Sequence, residues 1–180
     1  DIYLFSMYKV YGPHLGVMVM RKVLNEQLPN QGHFFNVDHP TDRFTPCGPD
    51  HAQIASVNGV IDYFEDVYAH HYGDDEATAS QKTSRVRALF QHAERRNLQS
   101  LLDFLSQREG VHLVGKAVTK NRAPTVSFTV EGRDPADIAA VLAAKNIGVG
   151  NGNCYAYRLM EALDIPAEQG VVRLSFVHYT

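Results

Sequence analysis

Cysteine is scarce in this chain: Cys47 and Cys154 are the only two in 180 residues. They are too few and too far apart in sequence for a disulfide framework or a zinc site, so a reducing, cytoplasmic setting and no metal are expected. No charge sign dominates. The 17 basic and 20 acidic side chains leave a formal net charge of −3, with no basic stripe, which argues against nucleic acid as the main partner. No apolar run approaches the roughly 18 residues of a membrane-spanning helix. No basic stretch leads into an apolar one, so no signal peptide is recognised. Repeats and low-complexity tracts are absent as well. What remains is ordinary globular composition, 44% apolar and 21% charged. The length suffices for one large domain or two small ones.

Residues 2–6 and 16–20 are short apolar stretches rich in strand formers, joined by a loop that holds Lys9. Residues 28–50 carry little periodicity and many turn formers, and a loop of that length is commonly functional. Ile54, Val57, Ile61, Phe64 and Tyr68 fall on one face of a helix predicted over 51–68, with Asp50 as its cap. Residues 73–81 are polar and acidic and read as a linker. A long helix is expected over 83–109, ended by Gly110. An α/β pattern then follows. Strands are expected at 111–115, 125–130 and 171–177, and a short strand or turn at 147–149. Helices are expected at 134–145, with Asp134 capping and Pro135 in the first turn, and at 155–163. Two or three strands with helices between them predict one sheet covered on one face. The domain boundary falls near 74–85.

Lys9 is the residue with the clearest chemical promise. A strand delivers it to a turn containing Gly12, Pro13 and Gly16, and strand ends are where open α/β folds keep their chemistry. An isolated lysine is ordinarily a solvated charge, but a desolvated one at a strand end can form a Schiff base with a carbonyl. Arg173, inside the apolar run Val171 to Val177, offers a planar fork suited to a carboxylate. The alternative is an edge-strand arginine pointing to solvent.

The run Ser6-Met7-Tyr8-Lys9-Val10-Tyr11-Gly12-Pro13-His14-Leu15-Gly16 resembles the lysine signature of the class V aminotransferases, which are fold-type I, pyridoxal-phosphate-dependent enzymes. The similarity is greatest to their cysteine desulfurase-like and selenocysteine lyase-like branch. It continues in Arg43-Phe44-Thr45-Pro46-Cys47-Gly48-Pro49-Asp50-His51, in Gly148 to Tyr157, and in Val171-Val172-Arg173-Leu174-Ser175-Phe176-Val177-His178-Tyr179. Two departures stand out. Tyr8 occupies the place of the family's usual histidine before the lysine, and Gly48 that of a threonine.

The resemblance implies an α/β fold, the C-terminal portion of a fold-type I transferase. Residues 1–76 would end the cofactor-binding large domain, and 77–180 would form the small α+β C-terminal domain. It implies pyridoxal 5'-phosphate held as an internal aldimine on Lys9, with Ser6, Tyr8 and the Gly48 backbone contacting the cofactor. Arg173 and Asn153 would bind the substrate amino acid. Cys154 lies near the persulfide-forming cysteine of true desulfurases, although a lone cysteine is more often a small buried hydrophobe. The family's 43–51 loop reaches across a homodimer. Its pyridine-binding aspartate, ring-stacking residue and glycine-rich phosphate turn lie upstream of the lysine strand. The chain is therefore expected to be a fragment of a longer protein and inactive alone, and His14, His39, His51 and His178 are not assigned those roles. The substrate and the choice among desulfurase, transaminase and epimerase stay open. The rival expectation is a non-catalytic homologue that serves as a dimerisation or interaction module.

Overall fold

In the computed structural model, residues 1–45, 48–73 and 75–180 are described; Pro46 and Cys47 of the 43–51 loop and Asp74 of the linker lie outside the described residues. Strands β1 (Ile2–Ser6) and β2 (Gly16–Met20) pair antiparallel, with Ile2 opposite Met20 and Ser6 opposite Gly16. A one-turn 3-10 helix, Met7–Val10, follows β1. Helix α1 (Lys22–Gln27) is a short element that the weak periodicity of the region did not announce.

The helix predicted over 51–68 is two helices, α2 (His51–Ser56) and α3 (Asn58–Tyr72), which meet at Val57. Asp50 caps α2 by accepting from Gln53 N at 3.1 Å. The break falls just before Asn58 and Gly59, two poor helix formers in succession. Gly73, at φ 71°, ends α3. Helix α4 (Ala79–Ser106) starts earlier than periodicity alone suggests. Thr78 and Gln81 explain this with a capping box: Thr78 N donates to Gln81 Oε1 at 2.8 Å, and Gln81 N to Thr78 Oγ1 at 3.3 Å.

Four antiparallel strands follow in the order β3-β4-β6-β5: β3 (Val111–Val114), β4 (Thr125–Val130), β6 (Val171–Ser175) and β5 (Gly150–Gly152). The short strand expected at 147–149 lies three residues later, because pairing with β6 places Gly150 opposite Arg173 and Gly152 opposite Val171. One face of the sheet packs on α4: Leu98, Leu102 and Leu105 meet Val126, Phe128 and Val172. Helix α5 (Pro135–Ala143) adds Ile138 to this core. Asp134 caps α5 by accepting from Ala136 N at 2.8 Å. On the opposite face, Val171 packs with Met160 of α6 (Tyr157–Ala162) and Ala167, with Val114 and Ile165 beside them. That cover is partial, and it leaves Arg173 and Ser175 exposed.

The chain divides into two compact units, Asp1–Thr83 and Ser84–Thr180. Among the described residues, no helix is long and apolar enough to cross a membrane.

Candidate active site

In the first unit, the hairpin of β1 and β2 sets the position of Lys9. Met7 is buried, and its N–H donates to Leu15 O at 2.8 Å, while its carbonyl accepts from Gly12 N at 2.9 Å. Tyr11 takes a left-handed conformation, φ 70°, and its ring meets Tyr63 of α3 edge-on at 5.8 Å. These contacts leave Lys9 exposed on the turn, beside an open cavity of about 740 Å³ that Tyr3, Ser6, Val17 and Phe44 also line. Ser6 is the last residue of β1, and its hydroxyl caps no backbone amide. The Tyr8 ring stacks on His14 at 4.8 Å and lies 5.5 Å from Lys9 Nζ, within cation–π range.

Gly48 stands at φ 73° two residues before the capping Asp50. Hydrogen bonds from Gln53, through its backbone N–H and then its side chain, hold the Asp50 carboxyl below its ordinary pKa. In the second unit, Arg173 lies on β6 between two neighbouring strands, opposite Ser127 of β4 and Gly150 of β5. Its strand is interior rather than at the sheet edge, and Arg173 itself is exposed. A Cβ added at Gly150 would sit 3.9 Å from Arg173 Nε and Nη2, so the guanidinium lies across the glycine. Thr125 Oγ1 and Ser175 Oγ, 3.3 Å apart, continue this polar face. Within its own unit, and among the described residues, no carboxylate pairs with Arg173.

The loop before α6 is tied to residues 166–170 at three points. Asn153 Nδ2 donates to Ala167 O at 3.2 Å, and Tyr157 Oη to Glu168 Oε1 at 3.2 Å, a bond that raises the Tyr157 pKa above its ordinary value. The third point is the approach of Gly170 to Gly152, so close that a Cβ at 170 would lie 2.0 Å from the Gly152 carbonyl carbon. Asn153 Oδ1 accepts from Tyr155 N at 3.1 Å. Cys154 and Tyr155 both adopt left-handed backbone conformations, φ 52° and 65°, which side-chain-bearing residues populate at a cost. Cys154 is half-buried, with Sγ 3.7 Å from Gly152 O, while Tyr155 is fully exposed.

Ser6 at the end of β1 and Tyr8 and Lys9 in the turn that follows it are therefore adjacent, and Asn153, Cys154 and Arg173 lie on neighbouring parts of the second unit's sheet and loop. Sequence reasoning missed Met7, Tyr11 and Phe44, whose roles come from tertiary contact. It also missed Gly170, which a glycine directly before a strand could have signalled.

The class-V aminotransferase family model matches residues 1–180. The aminotransferase-like protein FGM3 of Gibberella zeae is 30% identical over 99% of this chain, which covers 42% of that relative. The cysteine desulfurase-like protein ustD of Aspergillus flavus is 27% identical over 99% of the chain, which covers 38% of it. Among solved structures, the apo cysteine desulfurase of Thermococcus onnurineus matches 99% of the chain with a TM-score of 0.73 and 25% identity, and the chain covers 42% of that structure. The cysteine desulfurase CsdA of Escherichia coli shares the fold at a TM-score of 0.70 and 21% identity, with 100% of this chain and 42% of that one aligned. The chain thus spans about two fifths of these relatives, matching a C-terminal-like portion of the fold-type I architecture. It belongs to the aminotransferase class-V family.

Proposed function

We propose that the protein carrying this chain is a pyridoxal-phosphate-dependent enzyme acting on an amino acid, as a cysteine desulfurase-like lyase or an aminotransferase. The observation that carries this reading is Lys9, an exposed amine on a well-anchored turn beside a cavity that Ser6 also lines. An amine for the aldehyde and a hydroxyl for the phosphate are the donor types that the cofactor requires, so the residues fit it. Bound pyridoxal phosphate supplies an electron sink for charge that develops at the substrate's Cα or Cβ.

The chain's residues then divide the remaining work. Lys9 holds the cofactor and moves a proton at Cα. The Ser6 hydroxyl, the Tyr8 side chain and the Gly48 N–H hold the cofactor and its phosphate. The Arg173 guanidinium, exposed and without a carboxylate partner in its unit, takes the substrate carboxylate through a two-pronged hydrogen bond. Asn153 keeps one amide N–H and one acceptor position for the same substrate. The names of the two curated relatives quoted above support the two reaction classes. Residues 1–76 belong to the cofactor domain and 77–180 to the small domain, in a homodimer.

Steady-state kinetics of the protein that carries this chain test the reading. Arg173→Gln should raise KM for the amino acid at least about tenfold while cofactor uptake stays unchanged. An unchanged KM removes Arg173 from substrate binding. Sulfide release from cysteine, measured with and without Cys154→Ala, separates the classes. Loss on substitution assigns desulfuration through that thiol; release from neither protein assigns transamination or another reaction.

A further inference from the structure

Gly150, Gly152 and Gly170 lie close together around the end of β5, and the backbone explains only the last two. Gly152 stands at φ 99°, and a Cβ at Gly170 would lie 2.0 Å from the Gly152 carbonyl carbon. Gly150 has neither constraint. Its φ lies outside the left-handed region, and a Cβ there would make ordinary contacts. The three nearest atoms it would meet all belong to Arg173: O at 3.8 Å, and Nε and Nη2 both at 3.9 Å. A glycine inside a strand weakens it and often marks a close approach by another group. Here that group is the guanidinium. Strand β6 sets Arg173 opposite Gly150 on one side and Ser127 on the other, and directly opposed residues of antiparallel strands share a face. Between these two small neighbours the guanidinium lies over the one with no side chain. A side chain longer than alanine at position 150 would extend into the space it fills.

Within its own unit, and among the described residues, no carboxylate pairs with Arg173, so packing on the strand rather than an ion pair sets where its fork points. We propose that Gly150 is a positioning residue, which by leaving β5 bare lets the Arg173 guanidinium lie across the strand with its donors free, and so governs how tightly the protein holds the carboxylate of its amino acid. This rests on the proposed role of Arg173 in substrate binding. A planar fork must meet both carboxylate oxygens at once, so tilting the guanidinium costs one of the two hydrogen bonds. The loss falls on recognition of the carboxylate and leaves recognition of the amine as it was.

The test compares two probes, L-alanine and ethylamine, which is the same amine without the carboxylate. The protein that carries this chain, loaded with pyridoxal 5'-phosphate, is titrated with each, and binding is read from the absorbance change of the cofactor. The forms compared are wild type, Gly150→Ala, Gly150→Val, Arg173→Gln and the double variant Gly150→Val with Arg173→Gln. Gly150→Ala should leave both probes within about twofold, and Gly150→Val should weaken L-alanine about tenfold while ethylamine stays within about twofold. In the Arg173→Gln background the same valine should change L-alanine binding by less than about twofold, because no guanidinium remains to be displaced. Equal weakening of both probes, weakening of neither, or a tenfold loss that persists without Arg173 overturns the proposal. Valine forms strands better than glycine, so Gly150→Val is expected to fold. If circular dichroism shows that it does not, Gly150→Ser carries the same comparison: a loss selective for L-alanine that vanishes without Arg173 supports the proposal, and any other result overturns it. A wild type that responds to neither probe, or that Arg173→Gln matches on L-alanine, defeats the substrate role of Arg173 and the proposal with it. Weakening of L-alanine by Arg173→Gln alone keeps that role and dismisses Gly150.

Discussion

His178 lies flat on Phe90, with ring centroids 3.6 Å apart and planes 9° from parallel. Burial there holds its pKa below the ordinary histidine value of 6.5, because the charged ring is poorly solvated. The unfolded chain therefore binds a proton at His178 before the folded chain does. This contribution to stability is complete above 6.5 and declines as pH falls below it toward the depressed folded value. Glu94 acts with the opposite sign. Burial raises its pKa above 4.5, so its contribution is present below that value and declines as pH rises through the raised one. A comparison of wild type with His178→Phe isolates the histidine. The variant should lose less Tm than wild type on acidification from neutrality through the region below 6.5. Parallel Tm-versus-pH curves would contradict the assignment.

Among the elements, helix ends and strand pairing were legible to different degrees. Asp50 and Asp134 cap the helices they were expected to cap, because an Asx side chain before an apolar periodic run satisfies free first-turn amides locally. The strands 2–6, 16–20 and 125–130 were equally plain, since β-branched and aromatic residues cluster there. The sequence was less explicit where long-range pairing decides. Gly150–Gly152 has no strand-forming side chain and is a strand because β6 lies beside it. The start of α4 was written in Thr78 and Gln81, a capping box overlooked beside the acidic linker. Lys9 and Arg173 were legible as chemistry, but Phe44 and Gly150 gained their roles only from three-dimensional contact. One cap provides an energetic check. Asp134→Ala should destabilise the second unit by about 1 kcal/mol and lower its Tm by roughly 4–8 °C, measured by thermal unfolding. No change would mean that the Ala136 amide finds another acceptor.

For the whole molecule, the division at Thr83 and Ser84 predicts where damage spreads. Leu102 is fully buried among Leu98, Leu105, Val126 and Phe128. Leu102→Ala should cost about 3 kcal/mol, because a cavity remains where the side chain packed. Hydrogen exchange should show the loss of protection concentrated in residues 84–180, with 1–83 much less affected. Uniform loss would show that the two units unfold together. Lys9 is the residue on which the proposed cofactor chemistry depends. The most direct measurement of that role is borohydride reduction of the protein that carries this chain, loaded with pyridoxal 5'-phosphate, followed by peptide mass mapping. A single pyridoxyl adduct on Lys9 is expected, and it should disappear in Lys9→Ala. An adduct on another lysine, or one that persists in the variant, would contradict that role.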